Sequence, residues 1–154
     1  MKKKMIGGGL VLLAAMLVGK GTLHAQASKP QVITLTQNAC QFLESESKNH
    51  QFKTKTAEDC NRINAETLSD RKKGFKPLTL KAGEYIFRVK NNNVPYELGF
   101  YLRGSGLGRV TLPSVSGGGL TQGTTKDYRV TLRPGTYDYS CPLNPTPDYS
   151  LIVK

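Results

Sequence analysis

The chain predicts an all-β sandwich carrying one inserted α-helix. Three observations lead there. Short apolar runs alternate with polar residues from Pro77 onward, turn residues separate them at fairly regular spacing, and one segment, about 57–73, has helical periodicity. Short strands punctuated by Gly, Pro and Asn are the pattern of two packed sheets.

The amino end is read apart from the fold. Lys2, Lys3 and Lys4 form a positive n-region, Ile6 to Val18 is apolar, and Ala25-Gln26-Ala27 supplies a small-x-small cleavage pattern. The apolar run is too short to cross a hydrocarbon layer of roughly 30 Å comfortably. Residues 1–27 are therefore expected to be a cleaved signal peptide, and 28–154 a single domain of a periplasmic or secreted protein with no membrane span after cleavage. Cleavage after Ala27 leaves 127 of the 154 residues, enough for one core.

That cleavage also removes Met1, Met5, Met16 and His24, so the remaining chain has no Met, no Trp and one histidine, His50. Loss of Lys2, Lys3, Lys4 and Lys20 lowers the formal net charge from +11 to +7. Apart from Arg71-Lys72-Lys73 the remaining cations are dispersed. Such a balance suits anionic surfaces or acidic partners and lacks the clustered footprint of a nucleic-acid binder.

The elements follow in order. Val32 to Thr36 is a short β-branched run, and Cys40 ends that segment. Residues 41–55 are polar and take no assignment. Thr56 can cap a helix with Asp59 as reciprocal partner, and Cys60, Ile63 and Thr67 then share one stripe. Arg71, Lys72 and Lys73 suit the negative end of the helix, and Gly74 stands where a left-handed cap belongs. Pro77 to Leu80 leads through the turn Lys81–Glu84 into Tyr85, Phe87 and Val89, which alternate with Ile86, Arg88 and Lys90. After the turn Asn91-Asn92-Asn93, Tyr96 to Arg103 is a strand with Leu98, Phe100 and Leu102 on one face. Gly104 to Gly108 and Ser116 to Gly123 are expected to be loops flanking a short strand at Arg109 to Leu112. Tyr128, Val130 and Leu132 alternate, Arg133-Pro134-Gly135 turns the chain, and Thr136 to Cys141 and Tyr149 to Val153 complete six or seven strands.

Neither glycine-rich stretch is a phosphate cradle, since neither carries Lys-Ser/Thr or leads into a helical pattern. A lone His50 between Asn49 and Gln51 reads as a solvated loop residue, and nothing singles out a pair of carboxylates. The expectation is a protein that is not an enzyme. The cysteines carry more: Cys40, Cys60 and Cys141 lie in a compartment that permits disulfides, so one bridge leaves one thiol over. All three pairings are open.

Two segments carry a resemblance. Leu78-Thr79-Leu80-Lys81-Ala82-Gly83-Glu84-Tyr85-Ile86-Phe87-Arg88-Val89-Lys90-Asn91 resembles the strand–turn–strand of bacterial cupredoxin-like domains. Arg133-Pro134-Gly135-Thr136-Tyr137-Asp138-Tyr139-Ser140-Cys141 resembles their carboxy-terminal hairpin. The nearest group is the cupredoxin-type domain of periplasmic iron-uptake proteins, with a first Cys after the opening strand, matched by Cys40, and a mid-domain Glu, matched by Glu97. The resemblance covers residues 31–40 and about 77–154. The segment between Cys40 and Pro77 is an insertion relative to that group and brings Cys60.

The resemblance implies a cupredoxin-like Greek-key β-sandwich and a metal ion, copper or iron, held by Cys40, Glu97 and Cys141. The single remaining histidine excludes a classical blue-copper centre, which needs two His, a Cys and a weak axial ligand. Pro142 to Asp148 stands where the second His and the Met of an electron carrier would fall. Strand alternation places Tyr137, Tyr139 and Cys141 on one face and Asp138 and Ser140 on the other. Two functional readings result. One is an exported metal-handling protein, its partners a metal ion and an envelope or transport protein. The other is a metal-free, disulfide-stapled interaction module of the cell envelope.

Overall fold

The computed structural model describes residues 29–154; the segment read as a signal peptide lies outside them. In chain order the strands are β1 (Gln31–Asn38), β2 (Gln41–Phe42), β3 (Leu78–Leu80), β4 (Gly83–Asn91), β5 (Leu98–Gly104), β6 (Val115–Leu120), β7 (Thr125–Leu132), β8 (Gly135–Ser140) and β9 (Tyr149–Val153). They form a four-stranded sheet ordered β2-β1-β4-β7 and a five-stranded sheet ordered β3-β9-β8-β5-β6. The expected all-β sandwich is what the chain builds.

Alternation does most of the placing. Tyr85, Phe87 and Val89 point inward and are buried, while Arg88 and Lys90 on the same strand face water. Leu98, Phe100 and Leu102 do the same on β5, and Tyr137, Tyr139 and Cys141 on β8 and just beyond it. Between the sheets the ring of Phe42 meets Phe100, Tyr139 and Tyr149 edge-on at 5.4–6.1 Å, an arrangement that adds quadrupole attraction to area burial.

Two strand pairs are parallel: β1 runs beside β4 from Gln31↔Tyr85 to Gln37↔Asn91, and β3 beside β9. Parallel neighbours need a long crossover. The segment between β1 and β4 supplies one, and it carries the helical insertion. That insertion holds two helices rather than one: a single turn, α1 (Leu43–Glu46), and the longer α2 (Ala57–Arg71). The polar stretch without assignment thus contributes buried Gln41, Ser45 and Glu46.

The start of α2 is as expected. Asp59 Oδ2 accepts the N–H groups of Lys55 at 2.8 Å and Thr56 at 3.2 Å, satisfying donors that the first helical turn leaves open. Its end differs. Gly74 does not form a left-handed cap; it closes a 3-10 turn, Lys72–Gly74, after which extended Phe75 packs on Tyr149 at 4.8 Å. Anchoring Phe75 replaces the glycine cap as the stop.

Two expectations between β5 and β7 are corrected. Arg109 to Leu112 is not a strand: residues Gly106–Val110 form a 3-10 turn. The chain doubles back so tightly there that a Cβ on Gly104 would lie 2.2 Å from the Gly108 carbonyl oxygen. Ser116 to Gly123 is not all loop, because Val115–Leu120 is β6. Gly99 on β5 admits a close approach to it, since a Cβ there would meet the Gly117 oxygen at 2.7 Å, beside a register shift between Leu98 and Phe100. The outer carbonyls of β6 are taken up by side chains of β7: Lys126 Nζ donates to Gly118 O at 2.5 Å and Tyr128 Oη to Gly117 O at 3.2 Å.

Candidate functional site

The residues singled out by sequence gather at the end of the sandwich where β8 runs out. There the turn after β1, the start of β5, the first turns of α2 and the loop 141–148 converge. Cys141 is fully buried, and its Sγ accepts the Gly99 N–H at 3.2 Å. Burial pushes its thiol pKa up, and hydrogen bonds from Gly99, Asn144, Leu143 and Gln37 pull against that rise without reversing it. A neutral, enclosed thiol is a poor nucleophile and a poor ligand.

Cys40 and Cys60 are joined in a disulfide with their Cα atoms 5.1 Å apart. This selects one of the three pairings and leaves Cys141 as the free thiol. Cys40 sits at φ 61°, a left-handed conformation that costs a non-glycine residue roughly 1–2 kcal/mol. Two side chains hold it there: its N–H donates to Asn144 Oδ1 at 3.0 Å, and its carbonyl accepts Arg71 Nη2 at 2.9 Å.

Asn144 is the hub. Fully buried, it accepts from Cys40, donates to the Asn38 carbonyl at 2.9 Å, and lies 3.2 Å from the Tyr96 hydroxyl. That hydroxyl is also 3.2 Å from Thr54 Oγ1, while the Cys60 sulfur, which has no proton to give, lies 3.4 Å from Asn144 Oδ1. The stretch where the resemblance would put histidine and methionine ligands thus offers a buried amide whose donor and acceptor are both engaged. No sequence reasoning marked Asn144 or Tyr96; a buried loop amide has no periodic signature.

The expected ligand set is not brought together. Cys40 is spent in the disulfide. Glu97 is exposed, and its Oε1 accepts the Gly119 N–H at 2.7 Å. Among the described residues no group of three or more His, Cys, Asp or Glu side chains is placed to hold a metal ion. The donors present do not fit the copper or iron ion that the resemblance implies. Beside this end, Gly99, Tyr101, Ser116, Gly118, Pro142 and Leu143 line an open groove of about 540 Å³ on the outer face of the five-stranded sheet.

A second polar cluster lies under α2. Arg71 is turned inward to Glu46 instead of decorating the helix end, and Tyr149 Oη donates to Glu46 Oε1 at 2.5 Å. His50 is not a solvated loop residue: its Nε2 is 2.9 Å from Glu46 Oε2 and its ring stacks on Phe52 at 5.3 Å. The sequence shows neither contact because their partners are remote or lie in the unassigned stretch.

No family model and no curated protein matches the chain. Among solved structures it is similar to an oxidised mutant of amicyanin, 19% identical over 51% of this chain and 69% of that one, with a TM-score of 0.36. It is also similar to the reduced Cu(I) form, at pH 4, of another amicyanin mutant, 15% identical over 84% of this chain and 87% of that one, with a TM-score of 0.39. The two mixed sheets, with the helices inserted between β2 and β3, define the class: an all-β sandwich.

Proposed function

We propose that this chain is an exported, non-enzymatic binding module of the cell envelope, built on a cupredoxin-like sandwich and stapled by Cys40–Cys60. One observation carries the reading. The end of the sandwich from which a metal would be held is filled by an engaged amide, Asn144, against a closed disulfide. Cys141 is then a core thiol, and the groove beside Tyr101 and Leu143 is the surface available to a ligand.

The test is the native mass of protein recovered from the periplasm, with and without chelator, beside a thiol count. The expected result is a chelator-insensitive mass two protons below the fully reduced value, one thiol titrating after denaturation, and no uptake of added copper or iron. The rival is a copper or iron carrier. It requires the disulfide open and Glu97 released from Gly119, so that Cys40, Glu97 and Cys141 become donors. A chelator-sensitive increment of one metal ion, with Cys40 and Cys141 both free afterwards, would establish that rival.

A further inference from the structure

The opposite end of the sandwich has a different character. Leu107 is 92% exposed and Val110 is 88% exposed, both on the 3-10 turn Gly106–Val110. Single exposed apolar side chains are ordinary. Two on one protruding turn, with Arg109 between them, are a feature to account for.

The surroundings of this turn are basic. Arg133 donates from Nη2 to the Thr111 carbonyl, and Ser105 N–H to the Thr136 carbonyl at 2.9 Å, which ties the turn to the β7–β8 corner. Gly83 pairs with Leu132 and Gly135 with Val153, and Ala82 N–H donates to the Lys154 carbonyl at 2.9 Å. Exposed Lys81, Arg133 and Lys154 therefore share this end with Arg109. Gln31 pairs with Tyr85, so the chain also enters the fold here, through exposed Lys29. Glu84, on β4, is the carboxylate nearby.

We propose that this end docks on an anionic lipid bilayer, with Leu107 and Val110 entering the headgroup–acyl boundary and Lys81, Arg109, Arg133 and Lys154 meeting lipid phosphates. Interfacial binding of this kind combines a small apolar insertion with cations at headgroup level. A protein partner fits less well, because a standard interface covers about 800 Å² on each side and a five-residue convex turn presents a fraction of that. The proposal rests on the exported-module reading only for where the lipid is met; the staple and thiol chemistry at the far end are separate from it.

The test is co-sedimentation of the periplasmic protein with vesicles of phosphatidylglycerol and phosphatidylcholine, against phosphatidylcholine alone. Binding to the anionic vesicles is expected to weaken with added salt. The double variant Leu107→Ser/Val110→Ser should partition at least about tenfold more weakly, with its melting temperature unchanged because both side chains already face water. Arg109→Gln/Arg133→Gln should weaken binding and flatten its salt dependence, whereas Lys90→Gln, at the far end of β4, should bind nearly as wild type. Absence of binding to anionic vesicles overturns the proposal. So does binding indifferent to Leu107 and Val110, or loss of self-association in the double variant, which would identify a second copy as the occupant. None of these outcomes bears on the metal and thiol test above.

Discussion

Arg71 closes its guanidinium on Glu46, with Nε to Oε2 at 2.9 Å and Nη2 to Oε1 at 2.6 Å, and the two side chains are 3% and 2% exposed. The same Nη2 holds the carbonyl of Cys40, so one arginine fastens α2 both to α1 and to the disulfide turn. Removing one partner of such a pair strands the other in a dry site. Arg71→Ala is expected to cost about 3–5 kcal/mol in urea unfolding. Arg71→Lys should recover little of it, since an ammonium cannot reproduce the fork. A loss under about 1 kcal/mol would show that water reaches Glu46.

The staple has its own predicted size. Cys40 and Cys60 close a loop with a sequence separation of 20, for which chain entropy gives about 3 kcal/mol. Cys60→Ser should lower the urea midpoint accordingly and leave strand content intact by far-UV circular dichroism, because Cys40 is still held by Asn144 and Arg71. Global loss of structure on reduction would mean that those two side chains depend on the bridge.

How much of this was legible in sequence depends on periodicity. Tyr85, Phe87 and Val89 announced β4, and Thr56 with Asp59 announced the start of α2, because both signals are local. The strand β6 is hidden, since Gly117, Gly118 and Gly119 read as a loop and carry no alternating side chains to announce a strand. Arg71 was read as a helix-end cation for want of any sign of Glu46, a partner in the unassigned stretch. The cysteine pairing stays open in the sequence for the same reason: spacing cannot tell that Cys40 faces Cys60 rather than Cys141.

Asp59 sets a pH dependence. Hydrogen bonds from the Lys55 and Thr56 N–H groups hold its carboxyl below the ordinary value, so its contribution to stability is full above the unfolded pKa of about 4 and is lost as pH falls through the lower folded one. The stability gap between wild type and Asp59→Ala, measured across a pH series, should be constant near neutrality and close on acidification. A gap that persists at pH 2, roughly two units below the free carboxyl value, would show that the effect does not come from the carboxylate's charge.

Alkali tests the core. Burial raises the phenols of Tyr128 and Tyr139 to about 12, and that of Tyr149 higher still beside Glu46. These groups stabilise the fold fully below the free phenol pKa of about 10 and progressively less as pH rises through their folded values. Ultraviolet titration should find Tyr128, Tyr139 and Tyr149 silent at the free phenol pKa of about 10, then ionising together once the protein unfolds. Early, reversible ionisation of these three would mean the intersheet space admits hydroxide.

The parallel pairings carry a consequence for how the chain is delivered. During synthesis or passage through a membrane pore β1 appears first, yet its long neighbour β4 comes some fifty residues later, and β3 has no neighbour until β9, the last strand, arrives. The four-stranded sheet has all its strands once Leu132 is made, whereas the five-stranded sheet waits for β9. A growing chain therefore carries β3 and β8 without the strand between them until β9 is made. Its folding is governed by long-range closure rather than by local order.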